Sequence, residues 1–232
     1  MNQHFTPEVE HRHLWDREYR ELNVIPSSTR TSPSKPLLLY EGLLNLERFT
    51  PVLDAGCGNG RNAIYLAAKG CKVRAVDFSD VALTRVRQRA AAAGVLENVS
   101  TENLTLGGHW SLPDDHFALV LDSYVFCHVI DRAEQENYRR QLRRVMQPSG
   151  MLYSAVFCTD DEYYREAAGL NIGDRVVLDT HNGIRKYLYT EEEFRNFFSS
   201  EFRVVYFTKF QFDDTVLGRK YRRSILTLLL EK

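Results

Sequence analysis

Val52-Leu53-Asp54-Ala55-Gly56-Cys57-Gly58-Asn59-Gly60 runs from a short apolar stretch into three glycines at every second position. Pro51–Ala55 reads as a strand. Asn62–Lys69 is rich in alanine and is stopped by Gly70, so it reads as the helix that follows. The glycines then fall on a strand-to-helix turn. Glycine lets the backbone approach a ligand closely and adopt conformations closed to other residues. In open α/β sheets such a turn lies at the carboxyl ends of the strands, beside the switch point where ligands bind.

Lys72–Val76 reads as the second strand, and Asp77 ends it, 17 residues after Gly60. A carboxylate at that place can accept hydrogen bonds from both hydroxyls of a ribose. Ser79 can cap a helix running to Ala93, with Asp80 near the positive end of its dipole and Gly94 beyond its end. Asn98–Asn103 is a weak strand. Phe117–Leu121 is almost wholly apolar, as a strand buried on both faces should be. Arg132–Met146 reads as a helix ended by Pro148 and Gly150, and Met151–Phe157 as the next strand. This alternation predicts parallel strands with helices on both faces.

The two ends depart from that pattern. At the C-terminal end Glu191–Phe198 is helical, and Arg203–Phe207 and Ser224–Leu230 are strands. Thr208–Arg223 between them reads as irregular, too much so for a parallel crossover, so an antiparallel pair at the sheet edge is expected. At the other end, residues 1–36 are polar, with a Pro- and Ser-rich loop over Pro26–Pro36. His13–Leu22 is expected as one amphipathic helix, with Leu14, Trp15, Tyr19 and Leu22 near one face, and Leu37–Leu46 as a second. The expected division is a cap segment over residues 1–36 and a nucleoside-binding α/β domain over residues 37–232.

The chain has 232 residues, 44% hydrophobic and 26% charged, with a formal net charge of −1. Phosphate contacts dominate nucleic-acid affinity, and the basic excess they need is missing, so no nucleic-acid partner is expected. The basic run Arg219–Arg223 reads as a solvated strand entrance. Cys57, Cys71, Cys127 and Cys158 form no C-x-x-C pair, which fits reduced thiols in the cytoplasm. Met1–Glu10 has no apolar signal core, and no apolar run reaches the ~18 residues of a membrane helix. His4, His11 and His13 lack metal-site spacing, so no metal is expected. Oligomeric state is not legible.

Two nucleoside cofactors suit a glycine turn with an acid on the next strand. The dinucleotide fingerprint G-x-G-x-x-G needs a third glycine where Arg61 stands, so that form fails. The alternative has no pyrophosphate but an amino-acid tail, whose ammonium Asp54 can meet directly or through water. Asp54–Gly60 resembles the first motif of the class I S-adenosylmethionine (SAM)-dependent methyltransferases, and Ala75-Val76-Asp77 the second. Leu112-Pro113-Asp114 with Phe117–Leu121 resembles the family's approach to its fourth strand. Val145–Gly150 resembles its L-x-P-G-G turn, with Ser149 where glycine is common. Gly60-Arg61-Asn62 and Trp15–Tyr19 resemble bacterial small-molecule enzymes related to the tellurite-resistance and thiopurine methyltransferases.

The resemblance implies a Rossmann-like fold, with a mostly parallel seven-stranded sheet and an antiparallel C-terminal edge strand. It implies methyl transfer from SAM to a small molecule, with sulfur, selenium or tellurium acceptors as one alternative and a catalytically silent SAM-binding module as another. The implied cofactor residues are Asp54, Gly56, Cys57, Gly58, Asp77 and Phe78, with Trp15 and Tyr19 closing over them. For the adenine, Asn103 is expected to accept from the amino group and the Leu104 amide to donate to the ring, with Glu102 as rival. Asp122 and His128 follow the fourth strand, where the family's pocket meets the transferring methyl. Asp122 either orients substrate or caps a turn, and His128 is either a general base or a packed histidine. Trp15 and Tyr19 either close the site or anchor a surface helix. Tyr163, Tyr164 and Arg185-Lys186-Tyr187 either line the acceptor pocket or pack ordinarily. Cys57 is a small residue in a tight turn.

Overall fold

The computed structural model describes all residues except 1–6, 45, 47, 48, 168 and 174. Four helices flank the sheet along its sequence: α4 (Arg61–Ala68), α5 (Asp80–Ala92), α6 (Arg132–Val145) and α7 (Glu191–Ser199). Before them lie α1 (Pro7–Arg17) and two short helices, α2 (Pro26–Thr29) and α3 (Lys35–Leu39). The strands of the main sheet are β1 (Val52–Ala55), β2 (Val73–Asp77), β3 (Val99–Asn103), β4 (Phe117–Ser123), β5 (Met146–Phe157), β9 (Arg203–Val216) and β10 (Arg219–Glu231). Their order is β3-β2-β1-β4-β5-β10-β9.

β1 pairs in parallel with β2 on one side and with β4 on the other. The chain therefore leaves β1 in one direction and returns to its other side, which puts the switch point at the carboxyl ends of β1 and β4. Both strands are flanked by neighbours and covered by helices. Val52, Leu53, Leu119, Val120 and Leu121 are accordingly fully buried. Each such side chain contributes roughly 1.5–3 kcal/mol of transfer free energy, so the apolar run that predicts the strand also anchors it.

The helix starts follow their capping residues. Ser79 Oγ accepts from the Ala82 amide and Asp131 Oδ1 from the Glu134 amide. Thr190 does the same for the Glu193 amide at the start of α7. Each satisfies an amide that the helix itself leaves without a partner. α6 passes directly into β5, which begins at Met146 rather than Met151. Ser149 takes φ +61°, the left-handed region in which glycine is unstrained.

The C-terminal strands are longer than expected. β9 and β10 form a hairpin that extends through the stretch read as irregular, turning at Leu217 and Gly218, both left-handed. Charged residues fall on both faces here, Asp213 and Arg222 exposed beside buried Asp214 and Arg223, so the apolar alternation that marks a strand is obscured. The antiparallel pair does form one margin of the sheet. Within it β10 is the inner member, antiparallel to β5, and β9 is outermost. The Leu37–Leu46 helix is reduced to α3 and turns, and part of its expected span lies outside the described residues.

A separate three-stranded antiparallel sheet is inserted after β5. It consists of β6 (Gly169–Gly173), β7 (Val176–Asp179) and β8 (Arg185–Tyr187). His128 Nδ1 lies 2.9 Å from the Arg185 carbonyl oxygen, which holds this insertion against the turn after β4.

The expected helix over His13–Leu22 begins earlier, at Pro7, and its last turn, Glu18–Leu22, is π-helical. Polar bonds fix it both within its own segment and against the domain. Fully buried Glu18 accepts from the Ile25 amide and Ser28 Oγ through Oε1. Ser79 Oγ donates to Asp16, and Arg85 donates to the Tyr19 carbonyl. On its other side Arg17 donates to the Asn182 carbonyl in the insertion. α1 thus spans the gap between the glycine turn and the inserted sheet. The expected cap segment starts with residues 1–6, including His4, which lie outside the described residues.

Candidate active site

A cavity of about 1370 Å³ opens at the carboxyl ends of β1 and β4, under α1. Asp54, Gly56, Cys57, Gly58, Asp77, Phe78 and Leu104 line it, together with Trp15, Tyr19 and His128. Ten of the twelve site residues drawn from the sequence are therefore brought together; Asn103 and Asp122 are the two that are not.

The glycine turn is shaped by its conformation. Gly58 has φ +53°, and a side chain on it would begin 2.9 Å from the Tyr19 hydroxyl. Its amide donates to Asp77 Oδ2 at 2.9 Å, while the Ser79 amide donates to Asp77 Oδ1 at 2.9 Å. Burial pushes the Asp77 carboxyl up to about 6, against the pull of these amides. Each oxygen keeps a second lone pair, so the carboxylate is oriented and still able to accept.

Asp54 is the other buried acid of the turn. Its Oδ2 is buried and has no hydrogen-bond partner. Burial pushes its carboxyl up to about 7, opposed by the Ala63 amide and by Arg61. An unpartnered buried carboxylate oxygen on a cavity wall is a strong acceptor for a ligand cation. Cys57 is a buried thiol raised far above its usual range by burial, so it is no nucleophile but a small residue in a tight turn.

Three expectations are corrected here. Asn103 is exposed and off the cavity wall; its amide donates to the Phe78 carbonyl and Asp80 Oδ1. The rival Glu102 pairs with Arg74 and Ser111. Leu104 does line the cavity, but its amide donates to the Asp77 carbonyl, so the parallel ladder has taken the donor assigned to adenine. The wall continues instead through Thr105, Leu106, Gly107 and Gly108. Third, Asp122 is fully buried beneath the turn. Its Oδ1 accepts from the Val125 and Phe126 amides and its Oδ2 from Ser154. Both oxygens are engaged in capping, so its carboxylate sets the turn on which Tyr124 and His128 stand.

His128 faces the cavity with Trp15 edge-on at 5.1 Å and His11 at 6.1 Å. Burial, Lys186 and His11 hold it well below the usual histidine range, so it is neutral. Trp15 stacks on Tyr19 at 5.6 Å and donates to His11 Nε2. Of the insertion residues, Tyr164, Arg185 and Lys186 line the cavity; Tyr163 and Tyr187 do not.

Sequence reading missed several lining groups. Arg61, at the start of α4, lies beside Asp54 on the wall, and the string Gly60-Arg61-Asn62 held its signal. Tyr124 has φ +67° and stacks on Phe157 at 4.9 Å. Arg223, Phe212 and Asp214 reach the cavity only because β10 lies beside β5 and β9 beside β10, which no local pattern announces. Among the described residues no group of three or more His, Cys, Asp or Glu is placed to hold a metal, and no helix is long and apolar enough to cross a membrane.

Residues 52–150 match the family model of a methyltransferase domain. Over those residues the chain is similar to methyltransferase domains. Its curated relatives include methyltransferase GfsG of Streptomyces halstedii, 33% identical over 115 residues, which are 49% of this chain and 40% of that protein. The chain thus spans less than half of that relative. In fold the domain resembles the Burkholderia thailandensis 1,6-didemethyltoxoflavin-N1-methyltransferase with bound S-adenosylhomocysteine. The TM-score is 0.69 at 19% identity, over 100% of this chain and 93% of that one. TehB from Haemophilus influenzae aligns with TM-score 0.63 at 14% identity, covering 94% of this chain and 67% of that one. These likenesses establish the class I methyltransferase fold, and the domain's glycine turn and Asp77 occupy the switch point of that fold.

Proposed function

We propose that the chain transfers a methyl group from SAM to a small-molecule acceptor bound in the same cavity. The observation that carries this reading is the pairing of two buried acids on one wall. Asp77 is oriented by the Gly58 and Ser79 amides, and Asp54 keeps a buried oxygen without a partner. The first suits a ribose diol and the second the ammonium of an amino-acid tail. A pyrophosphate would find Arg61 where the dinucleotide turn has glycine.

When bound, SAM supplies a sulfonium methyl already activated for in-line displacement. The chain's own residues then have to align and to exclude water. Gly56 and Gly58 keep the turn bare, and Phe78 and Leu104 give an apolar wall beside Asp77. Trp15 and Tyr19 close the roof, so residues 1–36 act as a lid. Tyr124, Phe157 and Tyr164 wall the acceptor end with flat rings. His128, held neutral, is the group able to take a proton from an acceptor that must lose one; an ionised acceptor needs no base.

Calorimetry with SAM against NAD tests the cofactor half, and release of S-adenosylhomocysteine with pooled nitrogen, oxygen and sulfur acceptors tests turnover. Micromolar SAM binding with no NAD binding is expected, followed by acceptor-dependent product release. NAD binding, or no binding of SAM, overturns the reading. SAM binding with no turnover on any acceptor replaces it with a SAM-binding module.

A further inference from the structure

Two buried cations at the acceptor end have donors that the chain leaves unused. Lys186 on β8 is 1% exposed and Arg223 on β10 is 4% exposed, and both line the cavity. The Lys186 Nζ has no hydrogen-bond partner; its counter-ion Asp179 stands 3.6 Å away. Asp179 meanwhile accepts from the His181 amide and from Asn182. Arg223 gives its Nε edge to both oxygens of Asp161, at 3.1 and 2.9 Å. Its distal Nη2 is buried and finds no acceptor. The Tyr164 ring is common to both cations, with Lys186 Nζ 5.0 Å and Arg223 Cζ 5.3 Å from its centre.

Unpartnered buried donors on charged groups are costly and rare unless something completes them. An ammonium has three donors, and here a single carboxylate lies beyond hydrogen-bond reach. Asp161 and Asp179 neutralise the two heads, yet the Lys186 Nζ and the Arg223 Nη2 keep no acceptor within the chain, on two residues that both line the cavity. Burial drives the Lys186 ammonium downward, which a second anion would oppose. The adjoining walls, the stacked pair of Tyr124 and Phe157 and the ring of Tyr164, are flat and apolar.

Resting on the methyltransferase reading, we propose that Lys186 and Arg223 form an anion subsite for the acceptor, and that the acceptor is an aromatic molecule bearing a carboxylate. A carboxylate is favoured over a neutral carbonyl because charge-assisted hydrogen bonds are about twice as strong as neutral ones.

The test uses matched probes on the full chain saturated with S-adenosylhomocysteine: salicylate with salicylamide, 4-hydroxybenzoate with 4-hydroxybenzamide, and anthranilate with anthranilamide, each titrated by calorimetry. At least one carboxylate is expected to bind about tenfold tighter than its amide. That preference should fall to threefold or less in Arg223→Gln, and in the double variant Lys186→Met/Asp179→Asn, which removes the buried pair together. Arg223→Lys should retain most of it. The dissociation constant of S-adenosylhomocysteine should stay within twofold in each variant, which also reports an intact fold. The wild-type comparison needs no variant to fold. No carboxylate preference in any pair, or a preference that survives both substitutions, overturns the proposal while leaving the cofactor reading in place. Failure of S-adenosylhomocysteine to bind the wild type overturns the cofactor reading, and this proposal with it.

Discussion

The backbone amide of Gly58 donates to Asp77 Oδ2 at 2.9 Å, joining two turns that are 19 residues apart in the chain. The glycine turn after β1 and the acid at the end of β2 are thereby one rigid unit. Gly58 takes a left-handed conformation, and Asp77 holds that conformation in place from the neighbouring strand.

Asp77→Ala should therefore act twice. It removes the carboxylate assigned to the ribose, and it strips the Gly58 and Ser79 amides of their acceptor. Loss of charge-assisted bonds predicts SAM binding weaker by roughly 1.5–3 kcal/mol, with a lower melting temperature as well. Asp77→Asn keeps an acceptor for one amide and should lose less stability. A folded Asp77→Ala protein with wild-type SAM affinity removes Asp77 from the site.

Binding should release a proton from Asp54. Its folded carboxyl is raised to about 7, so the ligand-free protein is largely protonated there at pH 6. A ligand ammonium favours the ionised form, so affinity for S-adenosylhomocysteine should rise with pH up to about 7. In stability the raised pKa has a definite sign. The unfolded carboxyl ionises near pH 4 while the folded one holds its proton longer, so stability from this group falls as pH rises between about 4 and 7. His11 and His128, depressed by burial, act with the opposite sign below about pH 6.5, so melting curves do not isolate Asp54. Calorimetry at pH 6.2 in two buffers of different ionisation enthalpy does. A fraction of one proton should leave, and clearly less in Asp54→Asn, where Asp77, itself raised to about 6, is the acid that remains; equal proton release in the two proteins refutes the assignment.

Asp122→Ala should behave as a folding mutation. It leaves the Val125 and Phe126 amides and Ser154 Oγ without their acceptor. Unsatisfied buried donors predict a loss of about 1–3 kcal/mol in denaturant unfolding. SAM affinity should change by less than threefold. A selective loss of turnover with unchanged stability would return Asp122 to the chemistry.

Lid behaviour of the first 36 residues is testable by hydrogen exchange over residues 10–25. Within residues 10–25 the ties to the domain are side-chain bonds, from Arg12 to Thr105, Arg17 to the Asn182 carbonyl, Ser79 to Asp16 and Arg85 to the Tyr19 carbonyl. Local opening should be cheaper than global unfolding in the free protein and less frequent with S-adenosylhomocysteine bound. Protection should rise clearly on binding. Identical exchange in both states would make Trp15 and Tyr19 fixed packing residues.

Local pattern alone determined the framework of this protein. Apolar runs of strand length, alanine-rich helices and their caps are properties of neighbouring residues, so β1, β2, β4, α5 and the glycine turn were legible. So was the place of Asp77 beside the glycine turn, because a strand–helix–strand unit returns its second strand beside its first; the Gly58 amide bond to its carboxylate was not. Contacts between distant segments, and the partners they leave to each polar group, were decided only by tertiary structure. The Leu104 amide is spent on the β2–β3 ladder, and Asn103 turns outward to Asp80. Asp122 is consumed by its own turn. Lys186 and Arg223 lie 37 residues apart in the chain, on different sheets, and reach the cavity through the packing of β8 and β10 against the switch point. A side chain's chemistry is fixed by its type, but whether its donors and acceptors remain available depends on what folding places around them.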